Sequence, residues 1–202
     1  MRHETSVKPL LIVLSGPSGV GKDALISKLK KSAFPLSHIT TVTTRAPRPN
    51  EKNNVDYHFI STELFQEMIR QGELLESANV YGNWYGVPRE AVKQALDKGQ
   101  DVIIKVDIQG AATIKKIVPE AVLIFVTAPS IEEIKTRLTS RHSEKPDELT
   151  RRLNMADKEI EQLHLFDYVV VNKADEIDRA LVDIKAIITA EKCRVNPREV
   201  NL

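Results

Sequence analysis

Residues 16–23 read GPSGVGKD, and they contain the pattern G-x-x-x-x-G-K with Gly16, Gly21 and Lys22 at its fixed positions. This pattern is typical of a loop whose backbone N–H groups, lysine and following helix N-terminus bind phosphate. An apolar run at 10–14 precedes the loop and a helical pattern at 21–32 follows it, as such a site requires. A packed glycine-rich turn with a solvated lysine is the alternative interpretation.

The residue after the lysine is unusual for this motif. Ser or Thr normally stands there and its hydroxyl holds a magnesium ion, whereas this chain has Asp23. The stretch is therefore either a nucleotide loop with altered metal chemistry or a turn that resembles one.

Composition excludes several classes of protein. The 202 residues correspond to about one domain, and the net charge of +1 predicts no general attraction to nucleic acid or to a membrane surface. Cys193 is the only cysteine, which excludes an internal disulfide and a cysteine-based metal site. The first residues are polar and the run at 10–14 is too short for a signal peptide or a membrane span, so we expect a cytoplasmic protein.

Short apolar runs alternate with amphipathic segments along most of the chain. The runs predict buried strands at 10–14, 101–107, 121–127 and 168–171, and the amphipathic segments predict helices at 21–32, 88–98, 109–117, 130–141, 146–164 and 176–191. This alternation predicts an α/β fold, a parallel sheet flanked by helices on both faces. Residues 38–86 break the rhythm, with short strands near 56–60 and 74–81 around a helix near 62–71, and are interpreted as an inserted subdomain.

Two arginines in the inserted segment could bind one phosphate group. Arg45 and Arg48 are three residues apart among prolines, and Tyr57 follows as a further hydrogen-bond donor. Glu76 is a pure acceptor and suits a partner with two adjacent N–H donors, which a guanine edge offers and adenine does not. From composition alone, a solvated polar loop is an equally good interpretation.

Six motifs resemble those of guanylate kinases in order and spacing. They are GPSGVGK at 16–22, TTRAPRPNE at 43–51, DYHF at 56–59, Glu76 followed by YGNWYG at 81–86, VDIQG at 106–110 and VVVN at 169–172. The resemblance covers about residues 8–190, and the TTRAPRPNE and DYHF motifs are specific to this family and its inactive relatives.

The resemblance implies a P-loop nucleoside monophosphate kinase fold, with 8–190 as the domain, 38–86 as the GMP-binding subdomain and about 141–152 as a lid. Residues 1–7 and 193–202 would be tails, the second with no assigned role and with disorder as one interpretation. The implied reaction transfers the γ-phosphoryl group of ATP to GMP with Mg²⁺, giving ADP and GDP. ATP and GMP would be the partners, and the choice between monomer and homodimer stays open.

The resemblance also implies a set of site residues. For ATP binding these are Gly16, Pro17, Ser18, Gly19, Val20, Gly21, Lys22, Asp23 and, on the adenine side, Asn172. For GMP binding they are Thr41, Arg45, Arg48, Tyr57, Glu76, Tyr85 and Asp107. For catalysis they are Lys22, Arg45, Arg137, Arg141 and Arg152, although without the family match the last three would be interpreted as surface arginines.

The chain departs from the family pattern at several positions. Asp23 replaces Ser or Thr, Lys105 stands where an acidic residue is usual, Val87 stands where Ser or Thr is common, and Asn54 replaces Gly in a turn. Because the first two changes exchange charge at places that both approach the metal in P-loop folds, we hypothesise that Asp23 and Lys105 form an ion pair and that Asp23 serves as metal ligand. Two unrelated substitutions are the alternative.

Two other functions stay open on sequence grounds. The G-K-D form of the loop is similar to that of ribose 1,5-bisphosphate phosphokinases, although a ribose phosphate has no guanine edge for Glu76 to bind. A catalytically inactive guanylate-kinase-like binding module is the second alternative, although such modules usually lose loop residues that this chain keeps.

Overall fold

A computed structural model describes residues 8–49, 51–80, 82–139 and 159–202. In chain order its elements are β1 (Leu11–Ser15), α1 (Lys22–Lys31), β2 (Ser37–His38), β3 (Val42–Thr43), β4 (His58–Phe59), α2 (Thr62–Arg70), β5 (Leu74–Val80), β6 (Asn83–Pro88), α3 (Arg89–Asp97), β7 (Val102–Lys105), α4 (Ile108–Ile117), β8 (Val122–Thr127), α5 (Ile131–Thr139), a 3₁₀ helix (Gln162–Leu165), β9 (Tyr168–Val171) and α6 (Ile177–Lys192). The expected lid at 141–152 and most of the helix expected at 146–164 lie outside the described residues.

The main sheet has five parallel strands in the order β2-β7-β1-β8-β9. Its central strand β1 is fully buried, with Ile12 and Leu14 packed in a core shared with α1, α5 and α6. Leu11 and Val13 point to the other face, into a core shared with α3 and α4. Burial on both faces is what a continuous apolar run predicts for a parallel strand, so the predicted α/β architecture is confirmed.

A second sheet of order β4-β3-β6-β5 is built within the inserted segment. Strands β3 and β4 are parallel, whereas β6 pairs antiparallel with both β3 and β5. Helix α2 covers this sheet through Phe65, which is fully buried and packs with Val42 and Leu74. The two-residue strands β2 and β3, and strand β6, are absent from the sequence prediction.

The C-terminal segment packs against the main body of the protein. The Arg198 guanidinium donates to both carboxylate oxygens of Glu191, at 2.8 and 3.0 Å, and the Tyr168 hydroxyl donates to the same carboxylate at 2.6 Å. Val200 packs against the core on the α3 and α4 side. The interpretation of a disordered tail is therefore wrong.

Across the described stretches, each helix is either too short or too polar to cross a membrane.

Candidate active site

A cleft opens where β1 and β7 end, between the glycine-rich loop and the inserted subdomain. Ligands of open α/β sheets bind at this carboxyl edge of the strands. The structure brings fourteen of the sequence-predicted residues to the lining of this cleft: Gly16, Pro17, Ser18, Gly19, Gly21, Lys22, Asp23, Thr41, Arg45, Arg48, Tyr57, Glu76, Tyr85 and Asp107. Arg141 and Arg152 lie outside the described residues.

The loop leads directly into helix α1. Gly21 is the N-cap of α1 with φ +93°, and an added Cβ would lie 2.5 Å from the amide nitrogen of Asn172, so the position requires glycine. The Lys22 ammonium turns back onto the loop and donates to the carbonyl oxygens of Gly16 and Pro17, the second at 2.9 Å. Burial lowers the pKa of Lys22 to about 8, against the attraction of nearby carboxylates.

Three predicted residues lie behind the loop, away from the lining of the cleft. The Asn172 side chain is buried and donates to the carbonyl oxygen of Val20 at 2.8 Å. Arg137 donates to the same oxygen at 3.2 Å and to the Asn172 carbonyl oxygen at 2.7 Å. This arrangement holds the loop in shape, so the ATP-binding roles of Val20 and Asn172 and the catalytic role of Arg137 stay predictions.

Glu133 completes the support behind the loop. Its carboxylate pairs with Arg137 and accepts from the backbone N–H of Ala174 at 2.8 Å. The Glu133 backbone N–H in turn donates to the Ser130 hydroxyl at 3.2 Å, which is the helix-capping contact that their spacing indicates.

Across the cleft from the glycine-rich loop, Glu51 contacts Arg45 and Arg48, the two arginines predicted to bind the GMP phosphate. The Arg45 guanidinium donates to both oxygens of this carboxylate, at 2.8 and 2.9 Å, and the Arg48 backbone N–H donates to one of them at 2.8 Å. Glu51 is absent from the predicted site residues, although it ends the TTRAPRPNE motif. It fixes the direction in which the arginine segment faces the cleft.

Lys105 joins the two walls of the cleft. Its ammonium forms an ion pair with the Asp23 carboxylate and donates to the Tyr57 hydroxyl at 2.7 Å. The hypothesised contact between Asp23 and Lys105 is thereby confirmed. Tyr57 and Tyr85 stand edge to face with ring centroids 6.0 Å apart, and burial raises the pKa of Tyr57.

At the far end of the cleft two carboxyl groups lie together. Asp107 is the N-cap of α4 and accepts from the backbone N–H of Gly110 at 2.9 Å. Glu76 is 4% exposed, and burial with the nearby charge of Asp107 raises its pKa to about 8. Thr41 is buried and also lines the cleft, whereas Val87 packs in the core with Leu75 and Val92, and its apolar side chain offers no hydrogen bond.

Glu159 is a further lining residue that sequence reasoning missed. Its carboxylate accepts from the Ser18 backbone N–H, faces Lys22, and has its pKa raised to about 7 by burial. Its only sequence signal was an amphipathic pattern at 146–164, which does not identify a side chain in the cleft.

The sequence and the fold of this chain are similar to those of known proteins. The family model described as guanylate kinase matches residues 8–191. Among curated proteins, the guanylate kinase of Desulfitobacterium hafniense is 46% identical over 92% of this chain and 92% of its own length. That of Halalkalibacterium halodurans is 44% identical over 93% of this chain and 91% of its own length.

A solved structure gives the same result for the fold. The crystal structure of guanylate kinase from Anaplasma phagocytophilum has a TM-score of 0.76 at 33% identity, and the match covers 94% of this chain and 89% of that one. These matches agree with the motifs of the glycine-rich loop and of the segment that carries Arg45 and Arg48. The chain belongs to the guanylate kinase family.

Proposed function

We propose that the chain transfers the γ-phosphoryl group of ATP to GMP in the cleft described above, which makes it a nucleoside monophosphate kinase. A phosphate oxygen of GMP attacks the γ-phosphorus, and the bond from that phosphorus to the β–γ bridging oxygen breaks with its electron pair leaving on ADP. The observation that carries the proposal is that Glu76, Arg45 and Lys22 line one cleft. The cleft therefore combines a carboxylate that can accept hydrogen bonds from guanine, a guanidinium that can bind the GMP phosphate, and a loop that can bind the phosphates of ATP.

On the GMP side, Glu76 accepts hydrogen bonds from N1–H and the 2-amino group of guanine, assisted by Thr41 and Asp107. Arg45, Arg48, Tyr57 and Tyr85 bind the GMP phosphate, which replaces part of the contact that Glu51 makes with the arginines. No general base is needed because the GMP phosphate is already an anion. Residues 38–86 form the subdomain that carries these groups.

On the ATP side, the loop amides of 16–21 and the Lys22 ammonium bind the phosphates. Lys22 exchanges its carbonyl partners for phosphate oxygens when ATP arrives. Arg141 and Arg152, with a lid at about 141–152, add positive charge around the transferred group and exclude water. Arg137 joins them when it exchanges part of its contact with Glu133 and the backbone carbonyls for a phosphate oxygen. Asn172 acts here by holding the loop in place.

The residues present fit a magnesium ion bound with the nucleotide. In kinase sites Mg²⁺ is usually held by one or two carboxylates together with substrate phosphates. Within the described residues no cluster of three or more His, Cys, Asp or Glu side chains could hold a metal by itself. The Asp23 side chain, 58% exposed in the lining of the cleft, supplies one carboxylate. When bound, the ion would neutralise charge on the β- and γ-phosphates.

We expect the protein to act on small nucleotides in the cytoplasm. The near-zero net charge supports the proposal that nucleic acid and membranes are not among its partners. Ribose 1,5-bisphosphate is a poorer substrate for this cleft because it has no guanine edge whose N–H groups could donate to Glu76.

A binding module without catalysis is disfavoured because the chain keeps the glycine-rich loop and Lys22.

A coupled ADP-release assay with ATP and Mg²⁺ tests the proposal when GMP, AMP, UMP and ribose 1,5-bisphosphate are offered side by side. We expect turnover with GMP, and rates at least about 100-fold lower with AMP and UMP because neither matches the Glu76 acceptor. GMP binding without turnover would instead support the binding module, and turnover of ribose 1,5-bisphosphate alone would overturn the assignment.

A further inference from the structure

Lys105 occupies a position that belongs to both halves of the cleft. It is the last residue of β7, and its backbone pairs in register with Leu14 of β1, just before the glycine-rich loop. Its ammonium lies 4.3 Å from the ring centroid of Tyr57 and pairs with Asp23. Asp23 comes from the ATP loop and Tyr57 from the inserted subdomain, so the ammonium lies on the boundary between the two nucleotide sites.

The two members of the ion pair differ in exposure. The Lys105 side chain is 15% exposed, whereas that of Asp23 is 58% exposed. A largely buried ammonium is costly unless it is paired. The exposed Asp23 carboxylate is therefore the member of the pair that can change partner at lower cost.

We propose that Lys105 is a further phosphate-binding residue of the reaction, whose ammonium contacts both the GMP phosphate beside Tyr57 and the γ-phosphoryl group held by the loop. This inference rests on the proposed function. An ammonium carries three N–H donors, so it can serve two phosphates once substrate oxygens take the place of the Asp23 carboxylate. Asp23 is then available to the metal ion.

The positive charge of Lys105 would lower the electrostatic repulsion between the two reacting phosphates. The attacking phosphate and the γ-phosphate are both anions, and they repel each other as they approach. A cation fixed between them lowers this repulsion. Loss of the Lys105 ammonium should therefore weaken the simultaneous binding of both nucleotides more than it weakens the binding of GMP alone.

The test compares two probes by isothermal titration calorimetry in EDTA: GMP alone, and the bisubstrate compound in which five phosphates join adenosine to guanosine. In the Lys105→Met variant we expect the bisubstrate compound to bind roughly 10- to 100-fold more weakly, with GMP alone changed less than about fivefold. Lys30→Met is the matched control, because Lys30 donates to the Val55 carbonyl at 2.8 Å and so also ties the core to the inserted segment, but outside the cleft. It should change neither affinity by more than about twofold.

The proposal is overturned if Lys105→Met weakens GMP and the bisubstrate compound by the same factor, since Lys105 would then only position Tyr57. It is also overturned if neither affinity changes. If Lys105→Met fails to fold, Lys105→Arg is the second variant, because it keeps the positive charge. It should bind the bisubstrate compound with an affinity within about tenfold of that of the parent chain. A loss of GMP affinity larger than the loss of affinity for the bisubstrate compound would contradict the proposal. Failure of the proposed function looks different, because the parent chain itself would then neither bind nor turn over GMP.

Discussion

The carboxylate of Glu76 rests directly on the backbone of Gly110. A Cβ added at Gly110 would lie 2.5 Å from Oε1 of Glu76 and 2.8 Å from its carboxyl carbon. The first turn of α4 thus forms the surface against which the Glu76 carboxylate, the proposed guanine acceptor, is placed, and only glycine leaves room for it.

Gly110→Ala is therefore expected to displace the Glu76 carboxylate and to weaken GMP binding by roughly 10- to 100-fold. ATP affinity should change by less than about threefold, because the substitution acts on the guanine acceptor rather than on the glycine-rich loop. Calorimetric titration with each nucleotide measures both. Gln109→Ala, at the exposed neighbouring position, is the control, and an unchanged GMP affinity in Gly110→Ala would show that the base is bound elsewhere.

The raised pKa of Glu76 predicts a pH dependence of GMP binding. The carboxyl has a pKa of about 8 in the folded protein, against 4.5 ordinarily, but it must be ionised to accept two N–H groups of guanine. GMP affinity should therefore rise between about pH 6 and pH 8, with proton release on binding. Titration in buffers of different ionisation enthalpy measures the released proton, and Glu76→Gln should abolish the release while lowering affinity.

The same group should affect stability with the opposite sign. Its pKa is raised on folding, so the folded state binds the proton more tightly and this contribution to stability is lost as pH rises from about 4.5 through about 8. Relative to the parent chain, Glu76→Gln should gain free energy of unfolding between about pH 5 and pH 9. Urea unfolding across this range measures the difference, and a difference independent of pH would contradict the assignment.

Asp23 and Lys105 should behave as one unit in a double-mutant cycle. Asp23→Ser leaves the buried ammonium of Lys105 without its carboxylate, and we expect kcat/KM to fall by roughly 10- to 1000-fold. Adding Lys105→Glu gives the usual family pattern, a hydroxyl at position 23 with a carboxylate at position 105, and should restore the part of the loss that comes from the metal site. It should leave kcat/KM below that of the parent chain, because the ammonium between the two phosphates is then missing. Steady-state kinetics with GMP at saturating ATP and Mg²⁺ measures the coupling, and strictly additive losses would mean that the two substitutions are unrelated.

The contact between Arg198 and Glu191 should contribute strongly to stability. The Glu191 side chain is fully buried, and Arg198→Ala leaves it without its closest cation. We expect the free energy of unfolding to fall by about 2 to 4 kcal/mol, with kcat unchanged because the site is remote from the cleft. Arg194→Ala is the control, since Arg194 is half exposed and 3.7 Å from the same carboxylate, and it should cost about 0.5 kcal/mol or less.

The main sheet could be predicted from the sequence because each long strand is marked by its own apolar run. β8 and β9 were expected at 121–127 and 168–171, and they span Val122–Thr127 and Tyr168–Val171. β2 could not be found in this way, because its two residues exist as a strand only by pairing with Val102 and Ile103. Such a strand depends on partners distant in the chain rather than on a local pattern.

The candidate site was predictable to the extent that its residues belong to contiguous motifs. Lys105 is predictable because its charge is reversed where Asp23 also departs from the motif, and the contact between the two side chains accounts for both changes. Glu159 carried no such signal, since its role depends on proximity to Ser18 in the folded chain. For Arg137, helical periodicity indicates which face it occupies but not that the face packs against the back of the loop.

The position of β1 at the centre of the main sheet has a consequence for biosynthesis. Leu11 pairs with Val102 and Ile12 with Val122, so β1 is synthesised well before its neighbours and must wait for the whole inserted segment and for β7 and β8. Until then a strand that is apolar from Leu11 to Leu14 is exposed on the nascent chain. Translation products that end before Thr127 should therefore aggregate or be degraded, because they carry the nucleotide loop without the strands that hold it.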